Sequence, residues 1–144
     1  MNRLLCLIPI VLSSVVSAKT YYVAPSGGNN TFPGTISQPW ATWQKAFETA
    51  VAGDTVYFRG GVWYPANAAY GNNITHISPP TIGHNGEPGN PICFFNYPGE
   101  NPILDCKFVR TSGAFITGLE LTDVHWIKWR GLTIRNVYQR IADV

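Results

Sequence analysis

The carboxylates, imidazoles and thiols of this 144-residue chain stand singly along it. Asp54, Asp105, Asp123 and Asp143 lie far apart, whereas a calcium site needs several oxygen ligands brought together. His76, His84 and His125 have no metal-ligand spacing, either to one another or to Cys93 and Cys106. They are expected at the surface or in packing roles. Neither a Gly-x-Ser-x-Gly elbow nor a phosphate loop is present. Cys93 and Cys106 have two readings. A disulfide would add about 3 kcal/mol in the chain-entropy view, and the alternative is a pair of thiols stacked in a β core. The sequence thus nominates no catalytic residue, no cofactor-binding residue and no metal ligand. Asn29 and Asn73 open Asn-x-Thr sequons, which matter only where a host glycosylates.

Residues 1–18 have the form of a secretory signal peptide. Arg3 gives a positive start, Leu4 to Val16 is mostly apolar, and Val16-Ser17-Ala18 offers small residues for cleavage after Ala18. The apolar run is shorter than the roughly 20 residues a membrane helix takes. The expectation is a secreted chain, residues 19–144, in an oxidising compartment. Loss of Arg3 takes the formal net charge from +2 to +1, which excludes the strongly basic balance of a nucleic-acid binder. The last third holds Lys107, Arg110, Lys128, Arg130, Arg135 and Arg140 against Glu120, Asp123 and Asp143. Such a surface suits an acidic polymer, although a solvated mixed face is the plainer reading.

Few charges, many aromatics and frequent Gly and Pro favour β structure with many turns. Tyr21 to Ala24 predicts a strand. Trp40, Trp43, Ala46, Phe47, Ala50 and Val51 recur at helical spacing, with Pro39 suited to the first turn and Gly53 to the C′ position. Val56 and Phe58 then alternate with Tyr57 and Arg59, as in a strand. Pro65 to Gly89 has little periodicity and predicts a long excursion, while Pro91 to Tyr97 predicts another strand. Asp54 to Tyr64, Pro91 to Cys106 and Gly118 to Asn136 predict the first three rungs of an all-β solenoid, a right-handed parallel β-helix. The helix would be a lid over the open first rung, covering apolar side chains and unpaired strand edges. A small antiparallel β-sandwich is the alternative, but it gives that helix no task.

The motifs Tyr21 to Gly27 (YYVAPSG), Gln38 to Ala46 (QPWATWQKA), Ala52 to Tyr64 (AGDTVYFRGGVWY), Asn96 to Asp105 (NYPGENPILD) and Trp126 to Asn136 (WIKWRGLTIRN) carry a resemblance. The chain resembles the N-terminal part of right-handed parallel β-helix proteins of the pectate lyase superfamily, polysaccharide lyase family 9 above all. That resemblance implies calcium-dependent β-elimination of polygalacturonate by a monomer, with an acidic, pectate-like polysaccharide as partner. The family's aspartate cluster and its base find no match here. The expectation is an apparently truncated chain, inactive by itself, with its Ca²⁺ ligands elsewhere. A non-catalytic glycan-binding or adhesin-type β-helix surface protein is the alternative function. Trp126 and Trp129 are the residues suited to stack on sugar rings. Their spacing puts them on opposite strand faces, so at most one is exposed, and core packing is the plainer reading. Asn136 suits an internal ladder of stacked amides.

Overall fold

A computed structural model describes residues 17–68, 73–109 and 116–138. Asp143, Arg110, Arg140 and all but the end of the expected leader lie outside the described residues. The elements are β1 (Thr20–Val23), α1 (Trp43–Thr49), β2 (Thr55–Phe58), β3 (Gly61–Trp63), β4 (Asn73–Ile77), β5 (Ile92–Asn96), β6 (Pro102–Asp105), β7 (Thr117–Leu121), β8 (Ile127–Arg130) and β9 (Thr133–Arg135).

The strands form three sheets, in the orders β1-β2-β5-β8, β3-β6-β9 and β4-β7. Every pairing between these strands is parallel, which excludes the antiparallel sandwich. The chain visits the sheets in rotation. It runs through β2, β3 and β4, returns to the first sheet for β5, continues through β6 and β7, and returns again for β8 and β9.

Two boundaries differ from the sequence expectation. β4 lies inside the segment predicted to be an excursion, because five residues of strand between turn-rich flanks give too few repeats of a period to be heard. β7 pairs with β4, so Gly118 closes the second pass instead of opening the third.

Register explains the choice of side chains. Tyr21, Val56, Phe94 and Trp129 are successive partners across the first sheet and face inward, with Val23 and Phe58 in the next inward row. Val23, Val56, Phe58 and Phe94 are all buried. A parallel stack places each residue over its counterpart one pass earlier, so apolar residues at matching strand positions build one continuous core.

The lid forms as expected, with different ends. Trp40 makes a parallel bridge to Val23 and so extends the sheet beyond β1, which removes both Trp40 and Pro39 from the helix. Thr42 caps the N-terminus by accepting from the Lys45 N–H at 3.2 Å. The chain leaves the helix at Ala50 in an extended conformation. Gly53 therefore has no C′ role, and its φ of +89° serves the turn into β2.

Trp43, Ala46 and Phe47 form the buried face of α1. The Phe47 ring lies 5.0 Å from Phe94, 5.4 Å from Trp129 and 6.1 Å from Phe58. Trp43 packs 5.0 Å from Phe58 and 5.6 Å from Trp63. Gln44 covers a strand edge as well. Its Oε1 accepts from the His76 N–H at 2.9 Å and its Nε2 donates to the His76 carbonyl at 3.0 Å, in place of a strand beside β4.

Candidate functional site

The buried carboxylates, Asp54 and Asp105, and the half-buried Glu100 and Glu120 are each committed to their own surroundings. Asp54 is fully buried, with Oδ1 accepting from the Lys19 backbone N–H at 2.8 Å and Oδ2 from the Val51 N–H at 3.0 Å. Asp105 ends β6 and is 1% exposed. It accepts from Asn136 Nδ2 at 2.9 Å, from Arg135 Nε at 2.8 Å and from the Lys107 N–H at 3.2 Å. Glu100 takes a two-pronged hydrogen bond from Arg59 and another from the Gly60 N–H. Glu120 accepts from the Asn73 amide. This donor set does not fit a calcium ion, which needs six to eight oxygens directed at one point. Each of these carboxylates is turned instead toward N–H donors.

The ion pairs fix the acid response. Hydrogen bonds from Asn136 and then Arg135 hold the Asp105 carboxyl below the usual carboxylate range, outweighing its burial. The hydrogen bond from Arg59, reinforced by the Gly60 N–H, does the same for Glu100. A carboxylate whose folded pKa is depressed contributes stability above its ordinary value, near 4, and that contribution is lost as pH falls through the folded value. Melting temperature is therefore expected to hold from neutrality to about pH 4.5 and to drop below about pH 4. Asp105→Asn should flatten that acid limb, and thermal melts across the pH series check it.

Cys93 and Cys106 are free thiols. Cys93 belongs to β5 in the first sheet and Cys106 follows β6 in the second, so the disulfide reading is not realised. Burial, with the neighbouring Asp105 charge, pushes the Cys106 thiol up to about 11. It is a packing residue, not a nucleophile. Asn136 also differs from expectation. It is exposed, at φ +56°, and binds Asp105 instead of starting an internal ladder.

At most one of the two tryptophans is exposed, as expected, but not by strand alternation, since Trp126 precedes β8 in a left-handed turn. Trp129 faces inward and stacks on Phe94 at 4.8 Å, while Trp126 is 56% exposed, at φ +56°. His84 and His125 are exposed, and His76 binds Gln44 through its backbone.

The outward row of the first sheet is a feature that the sequence reading missed. Tyr22, Tyr57, Phe95 and Arg130 are successive register partners. Tyr22 and Tyr57 stack at 6.0 Å, and Tyr97 lies 5.9 Å from Tyr57. Arg59 sits 4.7 Å over Tyr97 and Arg130 4.3 Å over Phe95. All four rings are half-buried. The signal was present: Tyr22, Tyr57 and Phe95 each precede an inward residue at the same strand position, Val23, Phe58 and Asn96. A cleft of about 270 Å³ beside α1, lined by Trp43, Gln44, Trp63, Tyr64 and Thr75, is the other concave feature of note.

Parallel strands in three sheets, closed at the first strands by one helix, are those of a β-helix region. The chain belongs to the family described as Pel9A-like, right handed beta helix region, which matches residues 21–144. It is 29% identical over 141 residues to the uncharacterized protein YwoF of Bacillus subtilis strain 168, an alignment covering 88% of this chain and 27% of YwoF. It is 34% identical over 94 residues to the pectate lyase PEL9 of Emericella nidulans, covering 65% of this chain and 20% of PEL9. Among solved structures it resembles a rhamnogalacturonan lyase, with a TM-score of 0.56 and 28% identity, over 83% of this chain and 28% of the lyase. The chain thus spans only 20% to 28% of the length of these relatives.

Proposed function

We propose that this chain is the helix-capped N-terminal portion of a right-handed β-helix solenoid in a secreted, polysaccharide-active protein of the pectate lyase type. The observation that carries the reading is the match of the whole parallel-sheet region, lid included, to the Pel9A-like family. The pectate lyase and rhamnogalacturonan lyase similarities support a polysaccharide substrate. Secretion is supported by the form of residues 1–18.

The whole protein's reaction in this reading is β-elimination on a uronate-containing polymer. Calcium, when bound, would make the proton beside the uronate carboxylate more acidic. Its ligands and the base would come from beyond the described residues, since Asp54, Glu100 and Asp105 face N–H donors and no group of carboxylates that could hold a metal ion occurs among the described residues. The present chain would hold polymer and provide the template on which later coils stack.

Incubation of the purified chain with polygalacturonate and calcium tests this. The expected result is retention on the acidic polymer and no unsaturated uronide, measured by ultraviolet absorbance. Appearance of unsaturated product would overturn the predicted inactivity, and absence of binding to any polysaccharide would overturn the substrate class. A non-catalytic glycan-binding surface protein is a second reading. It is favoured by an aromatic face that has no carboxylate cluster beside it among the described residues.

A further inference from the structure

We infer that Asn29 is the N-glycan acceptor of this chain, and that Asn73, the asparagine of the other Asn-x-Thr sequon, is not. The site goes beyond the polysaccharide reading above and rests only on its secretion step, since only an exported chain meets a glycosylating transferase.

The reaction fixes what an acceptor must offer. The asparagine Nδ2 attacks C1 of an oligosaccharide carried on a lipid diphosphate. The Nδ2–C1 bond forms and the C1–O bond to the diphosphate breaks. The lipid diphosphate leaves with the electron pair, and Nδ2 gives up one proton to a base of the transferase. The asparagine must therefore be exposed, with Nδ2 free, in a backbone curled so that the hydroxyl two residues on reaches its side chain.

The first sequon, Asn29-Asn30-Thr31, has that form. Asn29 and Thr31 are both exposed. Asn29 Oδ1 accepts from the Thr31 N–H at 2.9 Å and from Thr31 Oγ1 at 2.8 Å, an Asx turn closed a second time by the hydroxyl. Both bonds fall on the amide oxygen, and Nδ2 has no partner among the described residues. The backbone is held as well. The Asn29 N–H donates to the Pro39 carbonyl at 3.0 Å, and the Asn29 carbonyl accepts from the Phe32 N–H at 3.0 Å. Asn30 is committed to the lid. Its Oδ1 accepts from the Ala41 N–H at 3.0 Å and the Thr42 N–H at 3.1 Å, and its Nδ2 donates to Thr42 Oγ1 at 3.0 Å. Asn30 thus pins the loop to the start of α1 and leaves Asn29 in solvent.

The second sequon, Asn73-Ile74-Thr75, has the same residue types in the opposite geometry. It is extended within β4, which pairs with β7. Thr75 is 4% exposed, and its hydroxyl donates to the Gly118 carbonyl at 2.7 Å instead of to Asn73. Asn73 Nδ2 donates to the Glu120 carboxylate. A glycan on that nitrogen would displace Glu120 and set a bulky hydrated group against the β4–β7 pairing. A chain modified there before folding would not complete the two-stranded sheet, so the exported protein carries its glycan on Asn29 alone.

The test expresses the chain in a secreting yeast, once with its own leader and once with a yeast leader placed before Lys19. Secreted protein is treated with a peptide N-glycosidase, which converts each glycosylated asparagine to aspartate, and peptide mass spectrometry reads the positions. The expected result is conversion at Asn29 and none at Asn73. Electrophoretic mobility of variants gives an independent reading. Asn29→Gln and Thr31→Ala should lose the whole glycan shift. Thr31→Ser, which keeps the hydroxyl, should retain it in part, and Asn73→Gln should migrate as the parent does. A secreted parent with no conversion at Asn29, or with conversion at Asn73, would overturn the assignment while leaving the secretion reading intact. Secretion with the yeast leader alone would remove the secretion reading of residues 1–18, and conversion at Asn29 in that protein would still support the acceptor assignment.

Discussion

Phe47→Ala is expected to cost about 3–5 kcal/mol, the range for deleting a buried phenylalanine side chain. Phe47 is 1% exposed, and its ring meets three different strands of the first sheet through Phe58, Phe94 and Trp129. Few positions in the chain join so many elements. The surroundings have little freedom to close the gap. Phe94 is held by Trp129 on one side and by the parallel ladders of β2 and β8 on both edges. Collapse would require those strands to shift register, and in a parallel stack that moves every inward residue outward. Typical domain stabilities are about 5–15 kcal/mol, so the variant would sit at or below the threshold of folding. Phe47→Leu should lose much less, since it keeps most of the apolar volume. Urea melts followed by near-ultraviolet circular dichroism would report both. A loss under about 1 kcal/mol for Phe47→Ala would mean that the helix is an ornament on a stack that closes without it.

The features visible in the sequence were those that repeat or that involve neighbours. Helical spacing from Trp43 to Phe47 and alternation from Val56 to Phe58 located the lid and the strand beneath it. The spacing of Trp126 and Trp129 also indicated that at most one is exposed, although which one is set by the left-handed turn at Trp126 just before β8. The features that stayed hidden depend on which strand lies beside which. β4 has no recognisable period, yet β7 and the Gln44 side chain on its two edges hold it in place. The row Tyr22, Tyr57 and Phe95 emerges only when segments more than thirty residues apart are set in register. Asp105 looked like a turn residue, because its partners, Arg135 and Asn136, arrive one full pass later. Candidate site residues were equally hard to name. Carboxylates that pair with N–H groups one coil away are indistinguishable, along the chain, from carboxylates free to hold a cation.

Asp54→Ala is expected to cost about 2–4 kcal/mol, because it leaves buried N–H donors without an acceptor. The residue is fully buried and accepts from Val51 in the turn after α1 and from Lys19 just before β1. The Lys19 partner gives this carboxylate a second consequence. Cleavage after Ala18, the position proposed for leader removal, would make the Lys19 nitrogen a charged α-amino group. That nitrogen lies 2.8 Å from Asp54 Oδ1, so processing would turn a neutral donor into an ammonium facing a buried carboxylate. Lys19 also receives the Thr55 N–H through its carbonyl at 2.9 Å, so its backbone is already held in place. A charge-assisted hydrogen bond contributes about 1.5–3 kcal/mol, against about 1 for a neutral one. A chain beginning at Lys19 with a free amine is therefore expected to be about 1–2 kcal/mol more stable than the same chain N-acetylated. For a domain of this size that is on the order of 3–8 °C in melting temperature. Asp54→Asn should abolish the difference between free and acetylated termini, and the four proteins form a double-mutant cycle that isolates the pair. Equal melting of the free and acetylated chains would show that the buried carboxylate does not distinguish an amide from an ammonium. Leader removal would then add nothing to the stability of the lid.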